Sequence, residues 1–105
     1  MNYLAVYECD LFRNPSGRPV CYIENTAGNV AAFVAGCEAH KNYAFITSYD
    51  TVALFSMGNY LDLVPDEDFR LELLREIIPF QMGVKEIPDV IYIDEAQING
   101  MTMEM

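Results

Sequence analysis

Pro65-Asp66-Glu67-Asp68-Phe69-Arg70-Leu71-Glu72-Leu73-Leu74-Arg75-Glu76-Ile77-Ile78-Pro79 is the stretch that decides the fold. Pro65 suits a helix start because its φ is already fixed near the helical value. Pro79 has no N–H to give the ladder and reads as the stop. Asp66, Glu67 and Asp68 fill the first turn, where the positive end of the helix dipole favours anions. Leu, Glu and Arg make up the middle, and all three are good helix formers. Phe69, Leu73, Leu74, Ile77 and Ile78 follow helical spacing and are expected to form a wide buried stripe. Asp68, Glu72 and Glu76 share the far side with Arg75. Asp68–Glu72 and Glu72–Glu76 are like-charge pairs four residues apart, which stability alone would not select.

Outward from this helix the pattern alternates strands with one more helix. Tyr3 to Glu8 is short, aromatic and apolar, and reads as a strand. Arg13-Asn14-Pro15-Ser16-Gly17-Arg18 has the composition of a turn. Pro19 to Glu24 reads as the second strand of a loose hairpin. Asn25 or Thr26 can cap a helix over about Ala27 to His40, with Val30, Phe33, Val34 and Cys37 on its buried face. Its other sides carry Ala32, Ala35, Gly36 and Ala39, small enough for a second element to pack close. Tyr43 to Ser48 and Thr51 to Met57 read as paired strands about a turn at Tyr49-Asp50, and Tyr60 to Val64 as a short extended piece. Beyond Pro79, Val90 to Ile93 reads as a strand. Asn99-Gly100 is a hairpin signal, with Met101 to Met105 either pairing back on Glu95 to Ile98 or fraying.

Taken together, the elements imply one α+β domain over residues 1–105. The expected architecture is an antiparallel sheet of four to six strands with two helices on one face. A ferredoxin-like order (βαββαβ from the second strand) and a repeated ββα arrangement both fit. The chain of 105 residues is 52 % hydrophobic, which argues for a packed core rather than an acidic disordered chain.

Acid is unevenly distributed. Residues 62–105 hold eleven of the sixteen acidic residues against Arg70, Arg75 and Lys85, a net of −8, while residues 1–61 carry −2. Such a surface repels nucleic acid and acidic membranes and attracts basic partners. Cys9, Cys21 and Cys37 are an odd count with no Cys-x-x-Cys, and the N-terminus lacks a signal-peptide pattern. Free thiols in a reducing cytoplasm are the expectation.

Catalytic signatures are sparse. Cys37-x-x-His40 puts a thiol and an imidazole a helical turn apart, but nucleophilic chemistry also needs an orienting group and an oxyanion pocket. A structural zinc needs four ligands, and His40 is the only histidine. Asp62, Asp66, Glu67 and Asp68 lack the spacing of an EF-hand loop, and the last three already suit a helix start. Arg13 and Arg18 flank a turn and suggest at most an anion-contacting tip. The sequence carries no phosphate loop, nucleophile elbow, metalloprotease helix or recognisable cofactor motif.

The function expected is therefore non-enzymatic: an acidic interaction protein. Asp62, Asp68, Glu72, Glu76, Asp94 and Glu95 are its candidate partner-binding residues, and a basic protein surface is its partner. The sharpest form is an inhibitor that mimics nucleic acid and blocks a basic nucleic-acid-processing enzyme, as in anti-restriction or anti-CRISPR action. Neither direct nucleic-acid binding nor a membrane partner is expected. The alternative is a ligand-binding or dimerising module that uses the sheet face opposite the helices, with Tyr22, Tyr43, Tyr49 and Tyr92 lining it. An enzyme built on Cys37 and His40, or on pocket carboxylates, ranks third.

Overall fold

The computed structural model describes residues 3–10, 12, 14–37, 40–48, 50–57, 60–96 and 98. Among these residues five strands are formed: β1 (Tyr3–Cys9), β2 (Cys21–Glu24), β3 (Asn42–Ile46), β4 (Thr51–Ser56) and β5 (Tyr60–Leu63). Helix α1 (Ala27–Ala35) lies between β2 and β3, and α2 (Glu67–Gln81) follows β5. The sheet order is β2-β1-β3-β4-β5, with every neighbouring pair antiparallel. The expected α+β class is thus what forms, with both helices in one core with the sheet. The element order is ββαβββα and β1 lies between β2 and β3, so a ferredoxin-like order is not established. No helix among the described residues is long and apolar enough to cross a membrane.

Alternation along β1 sets the two sheet faces. Leu4 and Val6 point to the helices, and the register joins them to Ile23, Cys21 and Phe45. Phe45 stacks edge-on against Phe33 of α1 and Phe55 of β4, at centroid distances of 5.6 and 5.7 Å. Phe45, Phe55, Leu4, Ile23 and Leu73 are fully enclosed, and burial of each such side chain is worth roughly 1.5–3 kcal/mol. Tyr3, Ala5 and Tyr7 point the other way. There the register aligns Tyr7, Ala44, Leu54 and Leu63 in one row across four strands, and Tyr22, Ala5 and Ile46 in another. The helix-free face thus carries apolar rows at its middle, with Glu24, Asn42, Thr51 and Ser56 around them.

Three features depart from the sequence pattern. Helix α1 ends at Ala35 rather than near His40, because Gly36 caps it with a backbone N–H to the Ala32 carbonyl. Helix α2 runs through Pro79 to Gln81. The ring denies the Arg75 carbonyl its usual donor, but Arg75 is exposed and water can serve that oxygen, while continuing the helix brings Phe80 into the core. The buried stripe is accordingly Leu73, Ile77 and Phe80, with Phe69 packed beside them and Ile78 left 47 % exposed.

The segment 90–93 forms no full strand. It makes a single antiparallel bridge, Ile23 to Tyr92, flanked by Glu24 N–H to Ile91 O at 3.0 Å and Ile93 N–H to Tyr22 O at 2.8 Å. Asn29 of α1 holds this segment from the other side. Its Nδ2 donates to Ile91 O at 2.8 Å and to Glu24 O at 3.0 Å, and its Oδ1 accepts from Ile91 N–H at 2.7 Å. At 5 % exposure Asn29 is the one buried polar side chain among the described residues, and its amide is satisfied in both directions. Thr26 is the N-cap of α1, its Oγ1 accepting from Asn29 N–H. Glu95, Ala96 and Ile98 form a helical turn, where a strand partner was expected. The proposed 99–105 hairpin lies outside the described residues.

Candidate partner-binding surface

Helix α2 displays its acids for local reasons first. Asp66 is the N-cap, its Oδ1 accepting from Phe69 N–H at 3.1 Å, with Glu67 and Asp68 in the first turn. Glu67 pairs with Arg70 at 3.3 Å. At 100° per residue, Asp68 and Glu72 share one exposed flank. Leu71, Ile78 and Met82 lie beside that flank and are exposed as well. Glu76 is different. It turns toward α1, where a Cβ added at Gly28 would meet its carboxyl carbon at 3.9 Å, and it pairs with Lys85 at 3.5 Å. That pairing relieves part of the Glu72–Glu76 repulsion.

The remaining acids divide between opposite ends of the sheet. Asp62 is exposed on β5, the last strand at one edge. Asp94 and Glu95 are exposed beyond the β2 edge, where Asp94 Oδ1 accepts from Ala96 N–H at 2.9 Å. Four strand spacings of about 4.8 Å separate the two edges, roughly 19 Å. The six expected residues thus occupy four places: the outer flank of α2 (Asp68, Glu72), its α1-facing side (Glu76), the β5 edge (Asp62) and the β2 edge (Asp94, Glu95).

Glu95 reaches a neighbourhood that acid content alone did not indicate. Burial, then the charge of Glu95, then Tyr7 and Tyr3, push the Tyr22 hydroxyl above its ordinary pKa. Tyr3 and Tyr22 meet edge-on at 5.8 Å. These three tyrosines belong to the helix-free face of the sheet. Of the three described tyrosines expected there, only Tyr22 is so placed. Tyr43 packs edge-on against Phe33 of α1 at 5.3 Å, Tyr92 lies beyond the β2 edge, and Tyr49 is outside the described residues. The strict alternation of Tyr3-Leu4-Ala5-Val6-Tyr7 was the signal that points to Tyr3 and Tyr7. The five strands carry Glu8, Glu24 and Asp62 and no Lys or Arg.

The thiols and the basic turn find other surroundings. Cys37 Sγ donates to Phe33 O at 3.0 Å, while His40 stands exposed past the helix end. Burial, and next the nearby Cys37, push the Cys21 thiol up to about 11. Burial followed by Cys21 and Cys37 raises Tyr92. The cysteine that lies near Cys37 is thus Cys21, which is protonated at neutral pH and weak as a nucleophile. Cys9 is raised too, by burial and then by Asp10 and Glu8. At the β1–β2 turn, Asp10 accepts from Asn14 N–H and Phe12 N–H, which hold its carboxyl below the usual range. An anion lies at the root of that turn, Arg18 is exposed on it, and Arg13 is outside the described residues. Among the described residues no three His, Cys, Asp or Glu side chains are placed to hold a metal ion.

Comparison with known protein families, curated proteins and solved structures gives no match for this chain.

Proposed function

We propose that the protein is a non-enzymatic interaction protein that docks its acidic surface on a basic protein. The observation that carries this reading is the outer flank of α2, where Asp68 and Glu72 stand exposed beside the uncovered Leu71 and Ile78. Carboxylates steer a basic partner from a distance, and adjacent apolar side chains supply area once contact is made. The like-charge spacing on that flank costs the isolated helix stability, as expected of residues kept for a partner. In its sharpest form the protein inhibits a nucleic-acid-processing enzyme by occupying the groove meant for the polynucleotide.

The test is competition between the protein and a labelled DNA duplex for a panel of basic nucleases and repressors, read by electrophoretic mobility. Displacement that weakens with salt, and that D68K/E72K reduces about tenfold, supports the reading. Absence of salt-sensitive displacement across the panel refutes it.

A further inference from the structure

We infer that the helix-free face of the sheet is a docking site for a basic, amphipathic helix of a partner protein. Solvated sheet faces normally alternate to polar residues, and this one is polar at Glu24, Asn42, Thr51 and Ser56 but apolar across its middle. The row Tyr7, Ala44, Leu54 and Leu63 crosses four strands without a polar residue, and Tyr22, Ala5 and Ile46 lie alongside it. Leu63 is 49 % exposed at its outer end. Ala44 is enclosed by its neighbours and the other side chains of the two rows are half-buried or exposed, and such a partly uncovered apolar row suits an interaction surface.

Charge decides the occupant. Glu24 lies on this face, paired across from Tyr3, and Glu95 stands beside Tyr22. Asp62 is exposed at the opposite edge. No cation sits on any of the five strands. An occupant must therefore be apolar at its centre and cationic at its margins. A second copy has the apolar centre but the wrong margins, since it would bring a second chain of net charge −10 against the first. A helix meets both demands, and the sheet already packs α1 and α2 on similar apolar rows of its other face. About sixteen helical residues, roughly 24 Å long, span the four strand spacings of about 19 Å.

This inference rests on the reading of the protein as a binder of basic partners, and assigns the element bound and the face that binds it. The experiment uses an eighteen-residue amphipathic peptide of leucine and lysine, with its leucine–glutamate counterpart as control. The chain has no Trp, so tyrosine emission reports the site directly in a titration with these non-aromatic peptides. Backbone amide shifts locate the contact. The expected result is a change in tyrosine emission with the lysine peptide alone, amide shifts spread across the strands from β2 to β5, and about tenfold weaker binding in Leu63→Lys and Ile46→Lys. Leu63→Lys lies on the edge strand and is half-exposed already, so it keeps the fold if Ile46→Lys does not. Shifts confined to α2, lost in D68K/E72K, would overturn the face assignment and leave the basic-partner reading standing. No binding of the lysine peptide beside successful DNA competition would overturn it equally. Concentration-dependent dimerisation abolished by Leu63→Lys would show the occupant to be a second copy, and would also overturn it.

Discussion

Replacing Asn29 by alanine is the most informative perturbation of the fold. The change removes three hydrogen bonds, to Glu24 O, Ile91 O and Ile91 N–H, at 3.0, 2.8 and 2.7 Å. Each is worth about 1 kcal/mol net, and leaving the Ile91 N–H unpaired, while its carbonyl keeps the Glu24 N–H, brings the total to roughly 3–4 kcal/mol. For a domain whose whole stability is about 5–15 kcal/mol, that is a large share. At about 4–8 °C per kcal/mol, the midpoint should fall by roughly 12–30 °C. Chemical denaturation gives the free energy, and hydrogen exchange at the Ile91 amide gives the location. Asn29→Asp is a useful companion. It keeps an acceptor for Ile91 N–H but loses both donors and sets a carboxylate against two carbonyl oxygens, so it should destabilise at least as much. A loss below about 1 kcal/mol in Asn29→Ala, with Ile91 as protected as before, would refute the view that this amide clasps the 90–93 segment to α1.

Two smaller predictions follow from the same coordinates. A Cβ at position 28 would stand 3.9 Å from Glu76 Cδ, an ordinary contact, so Gly28→Ala should stabilise by about 0.5–1 kcal/mol in thermal unfolding. The Cys21 thiol, pushed up from 9.0 to about 11 by burial and Cys37, should react with iodoacetamide at pH 8 about tenfold slower than free cysteine or less. Its folded-state pKa is raised, so its contribution to stability is whole below pH 9 and is lost as pH rises toward 11. Stability that is flat across that interval in wild type and Cys21→Ser alike would contradict this.

The fold class was legible because periodicity is local. Tyr3-Leu4-Ala5-Val6-Tyr7 can only alternate, and the acidic run Asp66-Glu67-Asp68 announces the start of α2 in any context, though Asp66 proves to be its cap rather than part of its first turn. The ends of elements were less legible, because tertiary packing sets them. Pro79 reads as a stop until the burial of Phe80 outweighs one lost backbone hydrogen bond. Ile78 belongs to the helical stripe by spacing, yet the core is satisfied by Leu73, Ile77 and Phe80. Val90 to Ile93 has the composition of a strand, but its bonds are shared between β2 and the Asn29 side chain. The acidic residues were legible as residues and not as a surface. Asp62 and Asp94 stand at opposite sheet edges only because β2 and β5 are the outermost strands, and no local pattern encodes that order. Cys37 paired with His40 on paper because both were assigned to one helix; Gly36 ends that helix first.

The Asn29–Ile91 clasp also has a consequence in time. Its two halves are 62 residues apart, and at synthesis rates of about 5–20 residues per second roughly 3–12 s pass between them. Throughout that interval Asn29 has only the Glu24 carbonyl to bond, and seating α1 leaves the rest of its amide unpaired. The helix is among the first elements made and among the last to be committed. A growing chain of this protein should therefore stay open until residue 91 arrives, and then close at once.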